Sequence, residues 1–135
     1  MISMFDVKSR LDDMGITYHS YEDDKQLTFE ITGKRNNRTI VGLLLNNEDN
    51  EAFICFRLRV NFFTYNIKIA KAINGYNSKY KWYQFYIDEK NELMMKINLD
   101  CRFINDEENI LEYIARGLAI IEEIYPETQR LLWAE

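Results

Sequence analysis

Residues 81–100 read KWYQFYIDEKNELMMKINLD. In an extended chain successive side chains point to opposite faces. Tyr83, Phe85 and Ile87 then fall on one face, and Trp82, Gln84, Tyr86 and Asp88 on the other. The first set is uniformly apolar and belongs in a core. The second mixes rings with polar groups and suits a face turned away from it. Across the short polar link EKN, the run ELMMKINLD is again apolar, with Met94, Lys96 and Asn98 sharing a face. Two such runs joined by a tight polar link predict a β-hairpin.

The chain on either side supplies layers for that hairpin. Upstream, NIKIAKAINGYNSKY changes period: Ile69, Ala70 and Ile73 share a helical face with lysines opposite, which predicts a short amphipathic helix. Earlier still, QLTFEIT, TIVGLLL and AFICFRLRV read as strands separated by the turn-forming connectors GKRNNR and NNEDNE. Ser3 and Asp6 form a capping signal, Met4, Val7, Leu11 and Met14 recur at helical spacing, and Gly15 ends the run. A first helix over residues 3–14 follows. After NDEEN, where Asn105 and Glu108 suit a second capping box, the stripe Leu111, Ile114, Leu118, Ile121 and Tyr125 predicts a long helix. Pro126 lacks an amide donor, so a kink or restart is expected there. The order is α-β-β-β-α-β-β-α. It predicts an α+β fold, a five-stranded antiparallel meander packed by an amino-terminal and a long carboxy-terminal helix. The expected core is Leu11, Leu27, Phe29, Ile31, Phe56, Leu58, Phe85, Ile97, Leu111, Ile114, Leu118 and Ile121.

At 135 residues the chain has the length of one domain, taken here as 1–135. A net charge of -5 repels nucleic acid on average, because phosphate affinity comes chiefly from Lys and Arg. Lys68 and Lys71 followed by Tyr76 and Tyr80 echo a single-strand stacking pattern, but no basic stripe extends it. The longest uncharged apolar run, TIVGLLLNN, is too short to cross a bilayer, so no membrane partner is expected. Cys55 and Cys101 are too few and too far apart for a disulfide framework and suit free thiols in the cytoplasm.

Catalytic patterns are missing from the sequence. His19 has no nearby Cys or second His and reads as a solvent-exposed loop residue; no serine sits in a Gly-x-Ser-x-Gly elbow; the five glycines never cluster as a phosphate cradle. Asn37-Arg38-Thr39 matches a glycosylation sequon by chance. No catalytic residue, metal or cofactor is expected.

The segment AKAINGYNSKYKWYQFYIDEKNELMMKINLD with its trailing helix resembles the YbjN-like proteins, bacterial sensory transduction regulators. Ile73-Asn74 with Tyr80, the turn from Asp88 to Glu92, and Leu93 to Asp100 carry the likeness, which covers residues 67–125 well and the first half only by order of elements. The resemblance implies a fold like that of class I type III secretion chaperones, commonly a homodimer that binds another protein. It brings no catalytic residue. The expected function is therefore a non-enzymatic protein-binding module, a chaperone-like or regulatory adaptor. A narrow-specificity inhibitor of immunity type and a small enzyme using scattered acids are the rivals.

If Cys55, Arg57 and Arg59 align across the sheet with Met94 and Tyr86, the outer face presents the residue types enriched in protein interfaces. Trp82, Tyr86, Met94, Arg57, Arg59 and Tyr76 are the expected surface for a partner or a second copy. Residues 67–81 hold four lysines and no acid, and residues 106–135 hold eight acids. Pairing of those patches across a two-fold axis is expected to orient a homodimer.

Overall fold

A computed structural model describes residues 2–21, 25–46, 48–103 and 107–133. Helix α1 (Met4–Asp13) is followed by strands β1 (Tyr18–Ser20), β2 (Gln26–Thr32), β3 (Arg38–Asn46) and β4 (Glu51–Asn61). Helix α2 (Ile67–Lys79), the hairpin β5 (Gln84–Ile87) and β6 (Glu92–Asp100), a 3-10 turn (Cys101–Phe103) and helix α3 (Glu107–Trp133) complete the chain. The strands form one antiparallel sheet in the order β1-β2-β3-β4-β6-β5.

Local chemistry sets the ends of these elements. The Ser3 side chain accepts the Phe5 N–H at the start of α1, and Gly15, at φ 73, ends the helix in the left-handed region that glycine tolerates. Asn66 caps α2 by accepting from Ile69 N–H. In the β5–β6 turn Asp88 Oδ1 accepts the N–H groups of Lys90 and Glu92 at 2.9 Å, while Asn91 adopts φ 61. The capping box expected at Asn105 lies outside the described residues.

Two expectations about the sheet are corrected. There are six strands rather than five, because Tyr18–Ser20 adds to β2 through the pairs Tyr18↔Phe29, His19↔Thr28 and Ser20↔Leu27. Three residues are too few for periodicity to mark as a strand. The second half is also not a meander. β6 takes the interior position beside β4, and β5 is the edge. Helix α2 carries the chain past one strand width before the hairpin folds back. β6, buried on both faces at Leu93, Met94 and Met95, suits an interior slot better than the four-residue β5.

All three helices contribute to a single core. Val7 and Leu11 of α1, Ile69, Ile73 and Tyr76 of α2, and Ile110, Ile114, Ile121 and Ile124 of α3 join Leu27, Phe29, Val41, Leu43, Ile54, Phe56, Phe85, Met95 and Ile97 from one face of the sheet. The buried stripe of α3 is Ile110, Ile114, Gly117, Ile121, Ile124 and Thr128. The stripe read from hydropathy was rotated, so Leu111 and Leu118 flank the core half-buried, as does Ile31. Gly117 explains the rotation. It has no side chain for hydropathy to count, yet it sits on the ring of Phe56: a β-carbon there would lie 2.9 Å from Phe56 Cε1 and Cε2 and closer still to Cζ.

Pro126 neither stops nor restarts α3, which runs unbroken to Trp133. The proline removes the N–H that would have bonded the Glu122 carbonyl one turn back. Arg35 Nη1 instead approaches that carbonyl at 3.5 Å.

Gly117 and Gly75 give opposite predictions for one substitution. Gly117→Ala pushes α3 off Phe56 and is expected to cost about 1–3 kcal/mol despite the better helix propensity. Gly75→Ala, where an added β-carbon meets nothing within 4 Å, is expected to stabilise by roughly 0.5–1 kcal/mol. Urea unfolding midpoints of the two variants check both signs.

Candidate functional site: the open face of the sheet

Because the helices share one side, the other face of the sheet is left without a helical layer. Register decides which side chains meet there. One row runs Tyr86–Met94–Arg57–Ile40–Glu30 across β5, β6, β4, β3 and β2. The next runs Gln84–Lys96–Cys55–Gly42–Thr28–His19, and a third Asn98–Phe53–Leu44–Gln26. In the middle row Gly42 contributes no side chain. The resulting depression of ≈ 230 Å³ is lined by Tyr21, Gln26, Thr28, Gly42, Leu44, Phe53 and Cys55.

Several polar groups at the β4–β6–β5 end of this face are paired with one another. Arg57 Nε and Nη2 donate to the two carboxylate oxygens of Glu92 at 3.1 and 3.0 Å, a bidentate geometry that fixes both planes. Glu92 is buried and Arg57 half-exposed. The ion pair raises the Arg57 guanidinium further above its already high range, first through those hydrogen bonds. Lys96 Nζ stands 5.1 Å over the Tyr86 ring, and the Tyr86 hydroxyl lies 3.7 Å from Cys55 Sγ. Burial is the main cause that pushes the Cys55 thiol up. It therefore stays protonated at neutral pH, the opposite of an activated nucleophile. Among the described residues no group of three or more His, Cys, Asp or Glu side chains is placed to hold a metal ion.

The structure gathers half of the expected surface. Tyr86, Met94 and Arg57 are neighbours in one row, with Met94 itself buried between its two flanking side chains. Trp82 does not join them. The strand begins only at Gln84, and Trp82 sits in the preceding turn, 83% exposed. Arg59 is exposed but lies at φ 59 within a bulge between Arg57 and Asn61, which takes it out of the row. Tyr76 is not on the open face: it lies on the buried side of α2, and its hydroxyl donates to Glu127 Oε1 at 2.5 Å. His19, expected in a loop, is in β1 on the open face and packs edge-on against Tyr21 at 4.8 Å. Gly42, Leu44 and Phe53 went unnoticed in the sequence. A glycine inside a strand pattern was the available signal, since it marks a place where a side chain is missing.

The basic helix meets the acidic helix within one chain. Lys79 Nζ pairs with Glu123 Oε1 at 2.7 Å, beside the Tyr76–Glu127 bond. Those two contacts join α2 to α3 within the chain. Large apolar side chains stand exposed at both ends of α2: Phe63 and Tyr65 before it, Ile67 at its first position, and Trp82 after it. No helix among the described residues is long and apolar enough to cross a membrane.

The family described as "Putative bacterial sensory transduction regulator" matches residues 6–130. A chain in the crystal structure of the ExsC-ExsE complex superposes with a TM-score of 0.68 over 96% of this chain and 92% of that one, at 16% identity. At that identity the likeness is one of fold. No curated protein matches the chain.

Two tyrosines give a pH prediction. Burial pushes Tyr86 on the open face up to about 12. Burial likewise pushes Tyr83, whose hydroxyl donates to the Tyr113 carbonyl at 2.5 Å, up to about 12. A phenol whose folded pKa exceeds its unfolded value near 10 contributes stability fully below about pH 10. That contribution is lost as pH rises through about 12. Alkaline unfolding is therefore expected between about pH 10 and 12, with Tyr83→Phe shifting the transition upward; circular dichroism against pH, with tyrosinate absorbance, measures it.

Proposed function

The chain belongs to the YbjN family, and on that premise we propose that it is a non-enzymatic protein-binding module. It acts as a chaperone-like or regulatory adaptor that holds another polypeptide on the open face of its sheet. One observation carries this: three helices crowd one side, while the other presents Tyr86, Met94, Leu44 and Phe53 in cross-strand register around a depression. Aromatic, Met and Arg side chains of this kind supply most of the energy of protein interfaces. The depression at Gly42 has room for an apolar side chain of the partner. The fold likeness to a chain of a two-protein complex supports the same reading. The Cys55 thiol, kept protonated by burial, is not an activated nucleophile, which fits the same reading. The chain's free thiols suit the cytoplasm.

The partner test compares the parent with Phe53→Glu, which places a charge at the depression without touching the helix-side core. Affinity capture from the native host's lysate is expected to retain one stoichiometric protein with the parent. The variant, melting within a few degrees of the parent, is expected to lose at least about tenfold of it. Turnover of a small metabolite by the purified chain with no protein partner would overturn the reading.

We also infer a homodimer formed at the exposed side of α2, where Phe63, Tyr65, Ile67 and Trp82 would cover one another. Apolar area must dominate it, because exposed ion pairs contribute only about 0–1 kcal/mol each. Light scattering at micromolar concentration is expected to give twice 16.3 kDa. Trp82→Glu is expected to return the monomer mass, and a parent that stays monomeric at every concentration sinks the inference.

A further inference from the structure

An exposed sheet edge is a template for pairing with another chain, and proteins blunt it. β5 is such an edge, and its four residues, Gln84–Ile87, carry no charge to repel a neighbour. At the mouth of the hairpin the Asp88 N–H donates to the Glu92 carbonyl at 3.0 Å. Antiparallel bonding alternates along a strand, so the backbone groups of Tyr86 and Gln84 face β6 while those of Phe85 and Ile87 face outward.

The Phe85 pair, at the middle of the strand, is not open. Asn77 Oδ1 accepts the Phe85 N–H at 2.6 Å, and Asn77 Nδ2 donates to the Phe85 carbonyl at 3.1 Å. Just upstream, the Tyr83 N–H donates to the Tyr80 carbonyl at 3.0 Å. A carboxamide offers the same donor–acceptor pair as the peptide group of an adjacent strand. One side chain from α2 thus stands where a seventh strand would bond. Its position is fixed by the burial of Ile73 and Tyr76 one turn earlier, and by the Tyr76–Glu127 and Lys79–Glu123 contacts with α3. Asparagine is a poorer helix former than alanine, so this helix carries a residue its own stability does not favour.

We propose that Asn77 is a lock on a strand-pairing edge. It keeps the β5 of one chain from bonding to the β5 of a second copy. The second copy is the fitting occupant because antiparallel pairing of one strand with itself about a two-fold axis is self-complementary. While the lock holds, any neighbour at this end of the molecule meets side chains of α2 rather than the backbone of the sheet.

Asn77→Ala tests this, since alanine strengthens the helix and leaves the core untouched. Amide exchange at Phe85, followed by NMR at concentrations where the variant still has the parent's mass, is expected to quicken about tenfold or more. Light scattering is expected to show mass rising with concentration beyond that of the parent. Adding Gln84→Lys, an exposed charge on β5, is expected to return the mass to the parent's. Unchanged Phe85 exchange in Asn77→Ala, or parent-like mass of Asn77→Ala at every concentration, would overturn the proposal.

Discussion

Helix α3 lies against the sheet at the point where Gly117 meets the ring of Phe56, and the rest of the architecture depends on that approach. With any side chain at 117 the helix would have to stand off from β4, and the interior would open along its length. With glycine there, Ile110, Ile114, Ile121 and Ile124 reach down on either side of the contact. α1 and α2 then close the flanks of the same layer. The glycine costs helix propensity, and burial of a whole aromatic ring offsets that cost.

One-sided packing has a consequence for the opposite face. A sheet buried on one side alternates apolar-in and polar-out, yet here the outward set retains Ile40, Leu44, Phe53, Met94 and Tyr86. Beside them Arg57 is paired with Glu92, Lys96 lies over the Tyr86 ring, and the Cys55 thiol lies beside the Tyr86 hydroxyl. Where charges are paired internally, covering them loses less polar hydration, and the apolar neighbours gain from being covered. That is the physical case for the proposed polypeptide partner over an ion or a phosphate.

The likeness to a chain of the ExsC-ExsE complex survives at 16% identity over almost the whole length. Such persistence is understandable when the shared quantity is a pattern of burial, because volume-conserving apolar exchanges keep a core intact. Surface chemistry is under no such constraint.

Periodicity alone determined the helix–sheet–helix order, the inward set Tyr83 and Phe85, the hairpin turn at Asp88, and the membership of Leu27, Phe29 and Phe56 in the core. These are local facts, legible because burial repeats every second residue in a strand and every third or fourth in a helix. Tertiary structure alone decided the rest. β6 displaced β5 from the interior because strand neighbours are chosen across the chain. Tyr18–Ser20 became a strand only because β2 offered it an edge. The α3 stripe turned on Gly117, invisible to hydropathy. Trp82 and Tyr86 share a sequence parity but not a surface, since the strand starts between them, and Tyr76 went inside because Glu127, far along the chain, accepts its hydroxyl. Parity says which way a side chain points once a strand exists. It cannot say where the strand begins, or what will be standing opposite.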